Sequence, residues 1–213
     1  GSGLLVLAGC SSESADDASV NSEAVGAEKL VVGLDDTFAP MGFRDENNEI
    51  VGFDVDLAKA VGERIGAEIV FQPIDWAMKE TELDSGNIDM IWNGYAITPE
   101  RAEKVLLSEP YIVDAQSIIV LKDSAIETKA DLEGKLVSTQ QSSSSVDKIM
   151  EDESGIFGKL GGDLVLYPSN NNAFSDLESG RVDAIVVGEV YGRYYMKQSG
   201  KDIYRVLEDN FGE

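Results

Sequence analysis

Arg101 is the residue of this sequence whose chemistry is easiest to name. It ends the stretch N-G-Y-A-I-T-P-E-R, which follows an apolar, strand-like run. The planar guanidinium group of arginine binds a carboxylate through two parallel hydrogen bonds, so this position predicts a site for an anionic group. A surface ion pair with Glu100 or Glu103 is the alternative interpretation.

Composition excludes most catalytic chemistry. The chain contains no histidine and one cysteine, Cys10, which excludes Ser-His-acid and Cys-His mechanisms and an intrachain disulfide. Asp35 and Glu189 are the only carboxylates that we expect in a ligand cleft, where an acid or base would act. Nothing besides this expected position supports a catalytic role for them. We therefore expect a protein that is not an enzyme and that needs no cofactor and no metal.

The charge of the chain argues against several partners. Its 213 residues include 40 acids and 17 bases, a formal net charge of −23. Nucleic acid and anionic lipid both require a basic patch, so we expect neither as a partner. No apolar run reaches the roughly 18 residues that a membrane span needs, so the body of the protein is expected to be water-soluble.

A repeated pattern indicates how the candidate residues are positioned. The stretch L-D-S-G-N-I-D-M-I-W-N-G from Leu83 is matched by L-E-S-G-R-V-D-A-I-V-V-G from Leu177. In each copy a helix is predicted to end at a left-handed glycine, Gly86 or Gly180, before a buried strand. Sheets of such strands bind ligands beyond the strands' carboxyl ends. Two copies predict two α/β lobes facing one cleft.

The first residues resemble the end of a bacterial lipoprotein signal. Leu4 to Cys10, L-L-V-L-A-G-C, combine an apolar stretch, small residues and a cysteine that would carry the lipid. A chance apolar start is the alternative interpretation. Residues 11–28 are rich in Ser, Ala, Asp and Glu without periodicity, which predicts a disordered tether. This segment therefore predicts a lipid-anchored domain outside the cytoplasm.

The predicted elements divide the chain into five segments. Lobe one is expected to contain two β-α-β steps, with a helix that begins at Asp54 and ends at Gly66. Lobe two is expected to be built in the same way around the second copy of the repeat. The segments are residues 1–10 for the partial signal, 11–28 for the tether, 29–118 for lobe one, 119–207 for lobe two and 208–213 for the start of a return to lobe one.

Six motifs cover the chain from Lys29 to its end. They are D-D-T-F-A-P-M-G-F at Asp35, V-G-F-D-V-D-L-A-K-A-V at Val51, I-D-W at Ile74, N-G-Y-A-I-T-P-E-R at Asn93, S-E-P-Y at Ser108 and V-D-A-I-V-V-G-E-V at Val182. In order and spacing they resemble the extracytoplasmic solute-binding proteins of polar amino-acid ABC transporters, the bacterial family 3 type. The resemblance implies two Rossmann-like α/β lobes with mixed sheets around a ligand cleft, and a C-terminal part of lobe one that continues beyond Glu213.

The resemblance also assigns roles to the loop after the first repeat. The family's matching arginine, Arg101 here, binds the α-carboxylate of the ligand. Backbone groups at Asn93, Gly94 and Ala96 would add hydrogen bonds, and glycine allows a close approach. Relatives often carry Ser or Thr at the position of Ala96, so one hydroxyl contact is expected to be absent.

Three further positions of lobe one match ligand-binding residues of the family. Phe38 and Trp76 match the aromatic residues that enclose the ligand side chain, with packing in the core as the alternative. Asp35 matches a position that meets a polar or cationic ligand side chain. A capping or turn role is the alternative for Asp35.

The serine run of lobe two resembles the family's anion cradle at a helix start. We expect Gln140, Ser143 and Ser144 to contact the ligand carboxylate. Without the resemblance, such a run indicates a flexible loop or a helix cap.

One departure from the family concerns charge. Relatives carry an aspartate that receives the α-ammonium group of the ligand, and the matching residue here is Gly188. The adjacent Glu189 could turn inward, a water could bridge, or the ligand could lack an ordinary α-ammonium group. The substitution Gly188→Asp is accordingly expected to strengthen the binding of ordinary amino acids.

The function that the resemblance implies is binding without catalysis. A monomer would capture a small amino acid-like solute by closure of the two lobes and deliver it to the membrane subunits of an ABC importer. The alternatives are the ligand-binding domain of a sensor or receptor and a small dehydratase-like enzyme on the same fold. The expected location is the outer face of the cytoplasmic membrane or the periplasm, with a lipid anchor at Cys10.

Overall fold

The computed structural model describes residues 29–213, so the predicted lipidation site Cys10 and the predicted tether lie outside the described residues. The strands are β1 (Lys29–Leu34), β2 (Thr37–Phe38), β3 (Gly42–Arg44), β4 (Ile50–Val51), β5 (Glu68–Pro73), β6 (Met90–Ile91), β7 (Gln116–Leu121), β8 (Val137–Gln140), β9 (Val165–Tyr167), β10 (Ala184–Gly188) and β11 (Tyr204–Asn210). The α-helices are α1 (Phe53–Ile65), α2 (Lys79–Asp84), α3 (Pro99–Lys104), α4 (Ser144–Met150), α5 (Asn170–Ser179) and α6 (Glu189–Ser199). Short 3-10 helices span Trp76–Met78, Lys129–Leu132 and Ile156–Lys159.

The first lobe is built on a parallel sheet of three strands in the order β5-β1-β6. β1 takes the central place because its sequence is apolar, and its residues Val32 and Leu34 are fully buried. α1 packs against β5. The helix ends at Gly66, whose left-handed backbone (φ 71°) is the conformation that commonly terminates an α-helix. A small antiparallel sheet, β2-β3-β4, completes the described part of this lobe.

The second lobe is built on a mixed sheet of five strands in the order β11-β7-β10-β8-β9. β7 runs antiparallel to both neighbours, whereas β8 runs parallel to β10 and β9. Side chains of β7 alternate between two buried clusters: Ile118 and Val120 belong to one, and Ile119 packs with Phe174 in the other. Because both faces of the sheet are covered, a ligand must bind at the strand ends.

The predicted repeat is present in both lobes. Gly86 and Gly180 follow helices α2 and α5, and each has a φ of 79°. β6 and β10 are the strands that follow them, and both end toward the same interlobe space. The α/β class with two lobes is therefore confirmed, and the sheet of the second lobe is mixed, whereas the three-stranded sheet of the first lobe is parallel in the described residues.

The structure differs from the prediction at the crossing between the lobes. β7 lies wholly in the second sheet, so the boundary expected at residues 118 and 119 is replaced by one before Gln116. Lobe two was predicted to end at residue 207. β11 extends beyond that residue on the second sheet, because Asn210 pairs with Ser117 after a bulge. Backbone bonds of 2.8 Å and 2.9 Å join Gln116 to Gly212 and Phe211 and keep this segment on the second sheet.

Candidate functional site

A cavity of about 800 Å³ lies between the two lobes, at the carboxyl ends of β6, β8 and β10. Its wall is formed by residues of both lobes, as the position of strand ends in an α/β fold predicts. Ten of the twelve predicted ligand-binding residues line it, while Asp35 and Glu189 do not. The ten are Phe38, Trp76, Asn93, Gly94, Ala96, Arg101, Gln140, Ser143, Ser144 and Gly188.

Arg101 is buried in the wall of this cavity, with 6% of its surface exposed. Its backbone N–H donates to the side chain of Thr98, which caps α3 and fixes the position of the arginine. Its side chain donates to the carbonyl oxygens of Ala96 (2.9 Å) and Ser142 (3.2 Å). The guanidinium carbon lies 4.2 Å from the centre of the Tyr95 ring.

No carboxylate within the described residues forms an ion pair with Arg101. Glu100, one of the two surface partners in the alternative interpretation, pairs with Lys104 at 2.8 Å instead. Burial lowers the pKa of Arg101, because removal from water disfavours its charged form. A buried guanidinium group without a counter-ion favours an anionic ligand.

Lys79 is a cation of the interlobe space that the sequence analysis missed. Its side chain is 2% exposed, and its Nζ donates to the carbonyl oxygens of Trp76 (3.1 Å) and Ser142 (2.9 Å). Arg101 donates to the same Ser142 oxygen, so two cations of lobe one meet one carbonyl of lobe two. Ser142 presents this oxygen from a left-handed backbone (φ 57°). A lysine in a charged helix is typical of a surface position, and no local pattern signals this contact.

Polar atoms without partners are concentrated at the cavity. Five buried side-chain atoms of the described residues lack a hydrogen-bond partner. Four of them belong to residues of the cavity wall, namely Trp92, Asn93, Ser143 and Asn170. An unpaired buried polar group costs about 1–3 kcal/mol, so these atoms favour a polar ligand that would satisfy them.

The predicted backbone donor at Gly94 is already engaged. Its N–H donates to the carboxylate of Asp54 at 2.6 Å, and the hydroxyl of Tyr111 donates to the same side chain. Burial raises the pKa of Asp54, and these two hydrogen bonds offset part of that rise. Asp54 therefore fixes the turn after β6, while the Gly94 N–H is not free for a ligand in this arrangement.

The aromatic residues occupy both sides of the cavity. Phe38 stacks on Tyr191 of α6, with ring centres 5.4 Å apart and planes 8° apart. Trp76 meets Tyr95 edge to face at 6.1 Å. Tyr191 was not among the predicted site residues, because its place in a helix rich in tyrosine does not distinguish it from core positions.

Asp35 lies behind the cavity wall and is 8% exposed. Its carboxylate accepts hydrogen bonds from the backbone of Thr37 (2.9 Å) and from the side-chain amide of Gln140 (2.7 Å). Burial raises the pKa of Asp35, and the Thr37 and Gln140 bonds offset part of the rise. The bond to Thr37 matches the predicted turn role, and the bond to Gln140 joins the two lobes.

The serine run lies at the start of α4, as predicted. Ser143 precedes the helix without making a side-chain cap, and its hydroxyl is one of the unpaired atoms. Ser144 is 7% exposed and lines the cavity. The hydroxyl of the neighbouring Ser145 donates to Gln116 at the start of β7.

The position of Gly188 corrects an expectation from the sequence. Glu189 does not turn into the cavity, because its carboxylate pairs with Arg193 at 2.7 Å on the surface of α6. The carboxylate of Asp114 lies against Gly188 instead, and a Cβ added to Gly188 would collide with its Oδ2 atom. Gly188→Asp would therefore bring two carboxylates into contact, so we now expect it to weaken binding rather than to strengthen it.

Comparisons with known proteins identify the family of the chain. Residues 30–153 match the bacterial extracellular solute-binding proteins, family 3. The chain is 33% identical over 178 residues to the arginine-binding extracellular protein ArtP of Bacillus subtilis, covering 82% of this chain and 66% of that protein. It is 32% identical over 180 residues to the histidine-binding periplasmic protein of Salmonella typhimurium, covering 82% and 67%. The chain thus spans about two thirds of the length of these relatives.

Solved structures show the same likeness. A substrate-binding protein of an ABC uptake transporter from Streptococcus pneumoniae, with bound histidine, superposes with a TM-score of 0.83 at 36% identity. The match covers 91% of this chain and 78% of that one. An ancestral arginine-binding protein bound to arginine gives a TM-score of 0.80 at 35% identity, covering 87% and 80%. The chain belongs to the bacterial extracellular solute-binding proteins of family 3, an extracytoplasmic family of binding proteins that are not enzymes.

Proposed function

We propose that this protein binds a free amino acid between its two lobes and delivers it to an ABC importer. The observation that carries the proposal is the buried guanidinium group of Arg101, which lines the cavity without an anionic partner among residues 29–213. A carboxylate is the ligand group that matches two parallel N–H donors. Arg101 would thus bind the α-carboxylate of the ligand.

The remaining wall of the cavity suits the rest of a small polar molecule. The unpaired atoms of Asn93, Ser143 and Asn170 offer hydrogen bonds from both lobes. Phe38, Trp76 and Tyr191 offer apolar faces for a side chain. Because these groups come from two lobes, a ligand gains all of them only when the lobes are closed, and its binding shifts the population toward that state.

Five side-chain hydrogen bonds join the two lobes among residues 29–213 and define contacts that opening must break. Arg101 and Lys79 donate to the Ser142 carbonyl oxygen, and Gln140 donates to Asp35. The fourth joins the hydroxyls of Thr37 and Ser169 at 3.0 Å, and in the fifth the side-chain amide of Gln141 donates to Asp75 at 3.4 Å. These bonds describe a closed arrangement whose cavity is ready for a ligand.

The comparisons support an amino acid as the ligand class. Relatives are named for binding arginine, histidine and L-cystine, and two similar structures contain bound histidine and arginine. All these ligands share an α-carboxylate and an α-ammonium group but differ in the side chain. No observation in the structure favours a sensor domain or a dehydratase.

Thermal unfolding of the purified protein with a panel of compounds tests this function. We expect one or a few L-amino acids to raise the midpoint strongly, since a ligand at a thousandfold excess over its Kd adds about 4 kcal/mol to the free energy of unfolding. The panel contains L-arginine, L-histidine, L-glutamine and L-cystine, with keto acids, amines and dipeptides as controls. A panel in which no amino acid raises the midpoint would contradict the proposed function.

Lipid anchoring through Cys10 completes the proposal for location. The apolar stretch before Cys10 supports it, as does the extracellular character of the family. A single acyl chain binds membranes only weakly, so we expect more than one chain on this cysteine. Expression of the full precursor in a bacterium, with a clickable fatty acid in the medium, should label the wild type and not Cys10→Ala. Equal labelling of both proteins would refute the anchor.

We also propose that the anchored protein acts as a monomer.

A further inference from the structure

Asp114 differs from the other acidic residues that line the cavity. It precedes β7 directly, in the irregular segment that joins the lobes. Four acids line the cavity wall, and Asp89, Glu109 and Glu213 are exposed, whereas Asp114 is half-buried. Water screens an exposed carboxylate well but a half-buried one only partly, so Asp114 gains most from a cation placed beside it.

The contacts of Asp114 leave room for such a cation. Its Oδ1 atom accepts a hydrogen bond from the backbone N–H of Val190 at 3.1 Å. No lysine or arginine in the part of the chain described forms an ion pair with it. Burial raises the pKa of Asp114, as expected for a carboxylate that lacks a positive partner. Within the described residues, backbone N–H groups offset part of this burial, but no positive side chain balances the charge of Asp114.

Gly188 provides the space in which this carboxylate lies. The three atoms nearest to a Cβ built on Gly188 all belong to the Asp114 carboxyl group, and its Cγ would lie 3.4 Å away. The backbone of Gly188 (φ −54°, ψ 134°) is accessible to any residue, so conformation does not require a glycine here. The requirement is space at the carboxyl end of β10.

We infer that Asp114 receives the α-ammonium group of the bound amino acid, and that Gly188 is the glycine that lets the Asp114 carboxylate reach the cavity. The inference rests on the proposed function. It supplies the negative charge that the sequence analysis sought at Gly188 and Glu189. In relatives the carboxylate would lie at the position of Gly188, at the end of β10. Here it lies in the segment before β7, at the same edge of the cavity.

A capping role for α6 is the competing explanation of Asp114. The first N–H groups of a helix need acceptors, and Gly188 has no side chain to provide one. Asparagine also accepts a hydrogen bond through its side-chain oxygen, so Asp114→Asn preserves the bond to Val190 and removes only the negative charge. This variant separates the two roles.

Calorimetric titrations with paired ligands test the inference. The probes are L-arginine with 5-guanidinopentanoate and L-histidine with 3-(imidazol-4-yl)propanoate, where the second of each pair lacks only the α-ammonium group. In Asp114→Asn we expect the affinity for the amino acid to fall about ten- to a hundredfold, the range of one hydrogen bond to a charged group. The affinity for the desamino analogue should stay unchanged. A double-mutant cycle that combines Asp114→Asn with removal of the ligand's α-ammonium group would then give a coupling energy between the two groups.

Moving the carboxylate back to Gly188 provides the second test. Gly188→Asp alone should weaken binding, because its carboxylate meets that of Asp114. Asp114→Ala should lose affinity, and the double variant Asp114→Ala with Gly188→Asp should regain part of it.

An unchanged affinity in Asp114→Asn, or an equal loss for both members of a ligand pair, would overturn the inference. If the wild type binds no amino acid at all in the panel above, the proposed function fails first and the inference fails with it.

Discussion

Arg101→Ala is expected to abolish amino-acid binding without unfolding the protein. The guanidinium group would make two charge-assisted hydrogen bonds to the ligand carboxylate, each of about 1.5–3 kcal/mol, so the affinity should fall by about a hundredfold or more. Stability should change little, because the variant also removes a buried cation that has no ion-pair partner among residues 29–213. Titration calorimetry measures the first effect, and a thermal melt of the ligand-free protein measures the second.

Arg101→Lys is the matched control for this prediction. Lysine keeps the positive charge but lacks the planar pair of donors, so we expect an intermediate loss of affinity. Full activity in Arg101→Ala would show that the carboxylate is bound elsewhere in the cavity. A variant that no longer melts cooperatively would assign Arg101 a structural role instead.

Gly52→Ala is expected to cause a large loss of stability in the first lobe. Gly52 has φ 138° and ψ 176°, a conformation that essentially only glycine adopts. An added Cβ would collide with the carbonyl oxygen of Met41 and lie 2.8 Å from that of Pro40. These are backbone atoms that accept hydrogen bonds from Phe53 and Asp54 at the start of α1, so they cannot move without releasing the helix.

Gly180→Ala is the control, because it has a left-handed backbone (φ 79°, ψ 11°) and nothing within 4 Å of the added Cβ. Its cost is the left-handed strain alone, about 1–2 kcal/mol. At about 2–4 °C per kcal/mol for a chain of this size, we expect a small decrease in Tm for Gly180→Ala and a decrease of more than about 10 °C for Gly52→Ala. Equal decreases in the two variants would show that the collision at Gly52 is relieved by movement.

Gly52 also connects stability to the site. The α1 start that it shapes carries Asp54, which holds the Gly94 N–H at 2.6 Å beside the cavity. Gly52→Ala should therefore weaken ligand binding in addition to destabilising the lobe, whereas Gly180→Ala should leave binding unchanged.

Local signals in the sequence predicted the framework of the molecule. The two left-handed glycines, Gly86 and Gly180, terminate helices where the repeat indicated, and the apolar runs after them form β6 and β10. Helix α1 ends at Gly66 as predicted. These features depend on residues only a few positions apart, so pattern and turn chemistry suffice to find them.

Features that depend on distant residues were not predictable in the same way. The Lys79 side chain reaches the carbonyl of Ser142, 63 residues away, and Val190 donates to Asp114 across 76 residues. Glu189, the neighbour of Gly188 along the chain, was an expected source of the missing negative charge. The fold instead brings it from another segment, because antiparallel pairing of β7 with β10 places Gln116 opposite Gly188 and Asp114 beside it.

The central claim is that an amino acid lies between the lobes with its carboxylate on Arg101. The most direct measurement is a crystal structure of the complex with the amino acid that gives the largest thermal shift. We predict a carboxylate whose two oxygens lie about 2.7–2.9 Å from two guanidinium nitrogens of Arg101, inside the cavity. A ligand bound outside this cavity, or one whose carboxylate lies away from Arg101, would contradict the account.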